Sequence, residues 1–136
     1  MPDSPSRTFG KQERMTSRKL IERLFNGGGR SMSAFPLRAV YMTMPDSDGK
    51  APVQVLVSVS KRHFKRAVKR NRVKRQVREA YRLNRHIIAD ALSDKPGKAV
   101  AVAFLWQADA LYGSREVAAS VVSLLRRMAE KIGAQP

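Results

Sequence analysis

The sequence predicts an α+β fold, a single α/β sandwich in which helices cover one sheet, in the order α-β-β-(β)-α-β-α. Three observations carry this prediction. Apolar residues recur with helical period near residues 17–25, 70–92 and 114–132. They alternate with period two from Leu37 to Tyr41 and from Val53 to Val59, and a near-continuous apolar run, Ala99 to Trp106, separates the last two helical segments. At 136 residues and 43% apolar the chain suits one core, and a domain of this size buries roughly two-thirds of the surface its unfolded chain exposes. Residues 8–132 are expected to form that domain, with flexible tails at 1–7 and 133–136.

The first helix is expected to start at Thr16 or Ser17, either of which can cap it, and to bury Leu20, Ile21, Leu24 and Phe25. Asn26-Gly27-Gly28-Gly29 stops it. These glycines do not read as a phosphate cradle, because no Gly-Lys-Ser/Thr leads from them into another helix. Arg30 to Ala34 is the optional extra strand. Phe35 to Met44 is rich in β-formers, with Leu37, Ala39 and Tyr41 alternating against Arg38, Val40 and Met42. Pro45-Asp46-Ser47-Asp48-Gly49 then makes a turn. It is not a calcium loop, since Val57 stands where the closing Glu would be needed.

Val53, Val55, Val57 and Val59 form one face of the next strand, and Gln54, Leu56, Ser58 and Ser60 the other. The long helix is expected from about Arg70 to Leu92, its stripe formed by Val73, Val77, Ala80, Tyr81, Ile88, Ala91 and Leu92. Asp94-Lys95-Pro96-Gly97 breaks the chain before the central strand, Ala99 to Trp106. Ser114 is placed to cap the last helix, which carries Val117, Val121, Leu124, Leu125, Met128 and Ile132.

Lys and Arg number 27 against 11 Asp and Glu, a formal charge of +16. Such a surplus costs self-repulsion unless a polyanion neutralises it, and nucleic acid is the commonest one. A membrane span is excluded, because the longest strongly apolar run falls far short of the roughly 20 residues required. Met1 to Gly10 lacks a secretory apolar segment, which sets the expectation of a cytoplasmic protein. With no cysteine, disulfides, thiolate nucleophiles and Cys-based zinc sites are ruled out. His63 and His86 have no second ligand at metal spacing, and the acids are scattered, so cleavage of RNA by the protein alone is not expected.

The charge is concentrated. Lys61 to Arg85 holds twelve Lys or Arg and one acid, Glu79. On a helix Asn71, Arg75, Arg78 and Arg82 share the face opposite the apolar stripe, with Arg72, Lys74 and Arg85 beside it. A solubilising helix usually interleaves Glu with Lys, whereas this one sets like charges against one another. A row of guanidinium groups suits a row of phosphates. Asn71 offers an amide able either to contact a base edge or 2′-hydroxyl, or to cap the helix locally.

Val57-Ser58-Val59-Ser60-Lys61-Arg62, followed by Ala67-Val68-Lys69-Arg70-Asn71-Arg72-Val73-Lys74-Arg75 and Val77-Arg78-Glu79-Ala80-Tyr81, resembles the signature of the bacterial ribonuclease P protein family. The similarity takes in Arg23-Leu24-Phe25 with its glycine turn and the strand Leu37 to Tyr41, and covers roughly Phe9 to Met128. The resemblance implies a fold similar to the second domain of ribosomal protein S-five, with a left-handed βαβ crossover against the usual preference. It further implies a protein that joins a catalytic RNA, which uses Mg²⁺ to remove the 5′ leader of precursor tRNA. The RNA-contacting positions carried over are Lys61, Arg62, Arg70, Asn71, Arg72, Lys74, Arg75 and Arg78, and the helical face adds Arg82. The implied leader cleft, on the sheet face beside the first helix, takes Phe25 and Tyr41, with Ile21 and Phe35 beside them; the rings of Phe25 and Tyr41 either stack on bases or belong to the core. No obligate protein partner is implied. The connection Lys61 to Ala67 departs from the family pattern, lacking its glycine and carrying one residue more, so the resemblance does not dictate its path. The rival reading is a structural RNA-binding protein such as a ribosomal protein, for which the same charge would serve.

Overall fold

Four strands form one mixed sheet in the computed structural model, which describes residues 9–47 and 49–135. They are β1 (Arg30–Ala34), β2 (Leu37–Met44), β3 (Val53–Ser58) and β4 (Ala99–Trp106), in the order β1-β2-β4-β3. β2 runs antiparallel to β1 and β4, and β3 runs parallel to β4. With a neighbour on each edge and cover on each face, β4 is buried along nearly its whole length, and its sequence is accordingly a continuous apolar run. A parallel pair needs a long crossover. Here it is made by α2 (Ala67–Asn84) and α3 (His86–Leu92).

The two faces of the sheet are covered unequally. Together with α4 (Ser114–Gly133), α2 and α3 pack Val73, Val77, Tyr81, Ile88, Val121 and Leu124 onto Tyr41, Val55, Phe104 and Trp106. On the other face the short α1 (Arg18–Arg23) brings Leu20, and the turn after it Leu24, onto Val40, Met42, Met44, Ala101 and Ala103. β2 is therefore buried on both faces except at the exposed Arg38 and the half-buried Thr43.

Ser17 is the cap of α1: its Oγ accepts the Leu20 N–H at 3.2 Å. Leu24–Gly28 forms a wider π-helical turn, which Gly27 leaves at φ +98°. Gly29 then passes close to β2, where a Cβ would lie 2.5 Å from both the Leu24 oxygen and Val40 Cγ1. The glycine stop thus also seats α1 on the sheet.

The structure bears out one optional expectation and corrects others. The optional strand is real, pairing Arg30–Ala34 with Leu37–Tyr41 around a cis Phe35–Pro36 bond. The long helix starts three residues early, at Ala67, and is interrupted at Arg85. There Asn84 Nδ2 and Arg85 Nε donate to the carbonyls of Ala80 and Arg82, so side-chain donors compete for helical acceptors. Gly113, not Ser114, occupies the cap position of α4, and its N–H donates to Glu116 Oε1 at 3.4 Å. α4 includes Gly133, and Lys95 Nζ donates to the Gln135 carbonyl, so the C-terminal tail is shorter than expected. The expected N-terminal tail lies outside the described residues. Among those described, no helix is long and apolar enough to cross a membrane.

Candidate nucleic-acid interface

Val73, Val77, Ala80 and Tyr81 bury one side of α2. The other side leaves Asn71, Arg72 and Arg75 exposed, with Lys74 and Arg78 half-buried beside them. Lys61 and Arg62 are exposed on the connection from β3. That connection has a defined path. The Arg62 N–H donates to Ser60 Oγ at 3.1 Å, the His63 N–H to the Ser60 carbonyl at 3.1 Å, and Phe64 is buried in the main core. His63 Nδ1 lies 2.7 Å from Asp109 Oδ1, tying the connection to the loop after β4.

Two of the predicted RNA contacts have other commitments. Arg70 Nη1 donates to the carbonyls of Phe64 and Lys65, so it holds the connection. Arg82 donates through Nε and Nη2 to both carboxylate oxygens of Glu79, at 2.9 and 2.6 Å. The hydrogen bond from Arg82 holds the Glu79 carboxyl below the usual carboxylate range, and the same bond pushes Arg82 up. The expected row of four ends in an internal ion pair.

Arg78 is pushed below its ordinary value, first by burial and then by the charge of Arg14. Arg14 is an exposed cation absent from the predicted set, on a segment with no periodic signal. It is brought to α2 because the Met15 N–H donates to the Val55 carbonyl, laying the N-terminal segment along the outer edge of β3. Its guanidinium lies 5.8 Å from the Phe9 ring, which meets Tyr81 edge-on.

The four cleft residues do not converge. Ile21 is half-buried on the α1 side, and Phe25, in the turn after α1, is 43% exposed. Tyr41 points the other way, into the main core, and is only 1% exposed. The alternation of β2 turns Val40 and Met42 toward α1, so Tyr41 cannot stack on a base. Phe35 is exposed, but it stands by α4: its ring lies edge-on to Tyr112 at 6.0 Å, and Ser120 Oγ donates to its carbonyl. On its own face α1 leaves exposed Arg38 and Ser58, at the two ends of a cross-strand row through the half-buried Leu105, with Leu56 half-buried beside it. Periodicity could not find that row, because it does not say where α1 stops.

Among the described residues no three His, Asp or Glu side chains gather to hold a metal. Glu79, Glu13 and Asp109 instead face Arg82, Arg85 and His63. Among the described residues, these acids are paired with basic side chains and not gathered around a common point. What they leave is a cationic ridge on one side and a shallow, partly apolar floor on the other.

The family model described as Ribonuclease P matches residues 9–129. The chain belongs to the ribonuclease P protein family. It is 42% identical over 127 residues to the ribonuclease P protein component of Porphyromonas gingivalis, covering 92% of this chain and 90% of that one. Identity to the component of Chlorobaculum tepidum is 38% over 114 residues, covering 79% and 74%. The fold is similar to that of the RNase P protein from Thermotoga maritima, with TM-score 0.64, 20% identity, and coverage of 85% and 96%. A Staphylococcus aureus RNase P protein mutant with defective mRNA degradation activity is comparably similar, at TM-score 0.65, 18% identity, and coverage of 88% and 90%. As a ribonuclease P protein, the chain is part of a ribonuclease P complex and a partner of its RNA subunit.

Proposed function

We propose that the exposed face of α2 and the 61–66 connection dock on the catalytic RNA, while the uncovered sheet face beside α1 holds the 5′ leader of precursor tRNA. The observation that carries this is Asn71, Arg72 and Arg75 standing exposed on a helix whose opposite side is wholly buried. A rigid row of cations at helical rise releases counterions from a phosphate backbone without reordering itself. Lys61, Arg62, Lys74, Arg78 and Arg14 extend the row. Phe25 and the Ser58–Leu105–Arg38 floor suit a single strand of any sequence, since apolar and aromatic surfaces pack on the face of every base and Arg38 can donate to phosphate.

Mg²⁺ held by the RNA supplies the charge stabilisation and the activated water for hydrolysis. The protein contributes binding and positive charge, which lowers the Mg²⁺ needed. Maturation of tRNA 5′ ends places it in the cytoplasm.

Cleavage of precursor tRNA by the cognate RNA at low Mg²⁺, measured with and without this protein, tests the reading. Strong stimulation is expected, and its absence refutes it. If about six of these cations meet phosphates, log K for RNA falls with log salt at a slope of about four to five.

A further inference from the structure

At the end of β3 remote from the 61–66 connection, the N-terminal segment, the α2–α3 junction and the loop before β4 enclose a space of about 600 Å³. Pro52, Val53, Tyr81, Ala89, Leu92 and Pro96 give it apolar walls, and Pro52, Ala89 and Pro96 leave that surface open to solvent. The enclosure is pinned on each side. Glu13 Oε1 accepts the Gly10 N–H at 3.0 Å and Arg85 Nη1 at 2.8 Å, which ties the N-terminal wall to the helices. The Ala51 N–H donates to the Gln12 carbonyl and the Val100 N–H to the Pro52 carbonyl, joining the same wall to the strand ends. The Lys95 N–H donates to the Leu92 carbonyl and the Lys98 N–H to the Lys95 carbonyl, which fixes the loop before β4.

A space of this size, preformed and largely apolar with a few polar groups beside it, has the form of a small-molecule site. Its charge indicates which kind. Lys11, Lys95 and Lys98 line it, and the single acid among the described lining residues, Glu13, is already paired with Arg85. Lys95 Nζ reaches the Gln135 carbonyl, whereas the ammonium groups of Lys11 and Lys98 make no hydrogen bond or ion pair among the described residues. Apolar walls favour a ligand with an apolar body, and lysines without a counter-charge favour an anionic head on it. We propose that this space binds a small carboxylate with an aromatic or aliphatic body, the body packed against Pro52, Ala89 and Leu92 and the carboxylate beside Lys11 and Lys98. A phosphate backbone would meet the lysines but leave the apolar walls wet. The site uses none of the residues proposed to dock RNA, so the two readings stand or fall separately.

Titration of the isotope-labelled full chain with naphthoate, followed through its backbone amide resonances, tests the site. Saturable shifts centred on Gly10, Val53, Ala89 and Lys98 are expected. Naphthamide, which has the same rings without the charge, should bind about fivefold more weakly, the loss expected for two exposed ion pairs. Lys11→Ala combined with Lys98→Ala should remove that difference. Ala89→Trp, which fills the space from an exposed helical position, should abolish the shifts. Both variants alter exposed residues, so their unfolding midpoints should match the wild type and a loss of binding is then not a loss of fold. Shifts centred instead on Asn71, Arg72 and Arg75, equal binding of the acid and the amide, or binding that survives Ala89→Trp overturns the proposal. So do larger shifts at the same amides from a short uridine strand, which would assign the space to RNA.

Discussion

Arg70 Nη1 donates to the carbonyl oxygens of both Phe64 and Lys65 at 2.8 Å, so the first arginine of the Arg-Asn-Arg triplet holds the connection that precedes its own helix. Arg70→Gln cannot make this pair of charge-assisted bonds and should cost about 1 kcal/mol of stability at this half-exposed site. Trypsin should then cut faster after Lys61, Arg62, Lys65 or Arg66, and RNA affinity should fall through loss of the connection's shape. An unchanged digestion pattern would show that the connection holds itself.

Glu79 is the one acid on α2, and it neutralises Arg82. Glu79→Gln should release that guanidinium toward RNA, tightening binding and steepening the salt slope by about 0.7 to 0.9, the value of one added phosphate contact. Salt titration of RNA affinity checks it. A slope no steeper than wild type would mean Arg82 lies outside the interface.

The buried Tyr41 and the exposed Phe25 separate core from cleft. Tyr41 Oη is buried without a hydrogen-bond partner among the described residues, so Tyr41→Phe should raise stability by about 1 kcal/mol and leave RNA binding untouched. Phe25→Ala should weaken affinity for leader-bearing precursor by about 1 to 3 kcal/mol and leave leaderless tRNA unchanged. Arg75→Glu should weaken both substrates by impairing assembly with the RNA. Paired binding curves with the two substrates distinguish these patterns.

Burial pushes the Tyr81 phenol well above its ordinary value, and the charge of Glu13 adds to the shift. A group that holds its proton more tightly in the folded chain stabilises it fully below the unfolded value, near 10, and progressively less as pH rises beyond that. The denaturation midpoint should therefore drop above about pH 10, and Tyr81→Phe should lessen the drop. Equal alkaline profiles for the two proteins would count against this origin.

Much of this architecture was legible without coordinates because burial imposes period. The stripe from Val73 to Tyr81 is a helix facing a core, and Ala99 to Trp106 suits a central strand covered on at least one face. The break at Arg85 was not legible, since it depends on side chains competing for carbonyls one turn back. Nor was the burial of both faces of β2, because its alternation cannot reveal that a second, short helix covers Val40 and Met42.

The basic face of α2 shows the same division. Local sequence alone determined that a helix from near Arg70 carries concentrated positive charge opposite an apolar side, for charge and period are properties of neighbours in the chain. Which of those cations remain unengaged within the protein was decided only by the tertiary structure. Arg70 turns back to the connection, Arg82 closes on Glu79, and Arg14 arrives from 64 residues upstream of Arg78. A guanidinium binds whichever oxygen the fold brings within reach, and that reach is set by packing across the whole molecule.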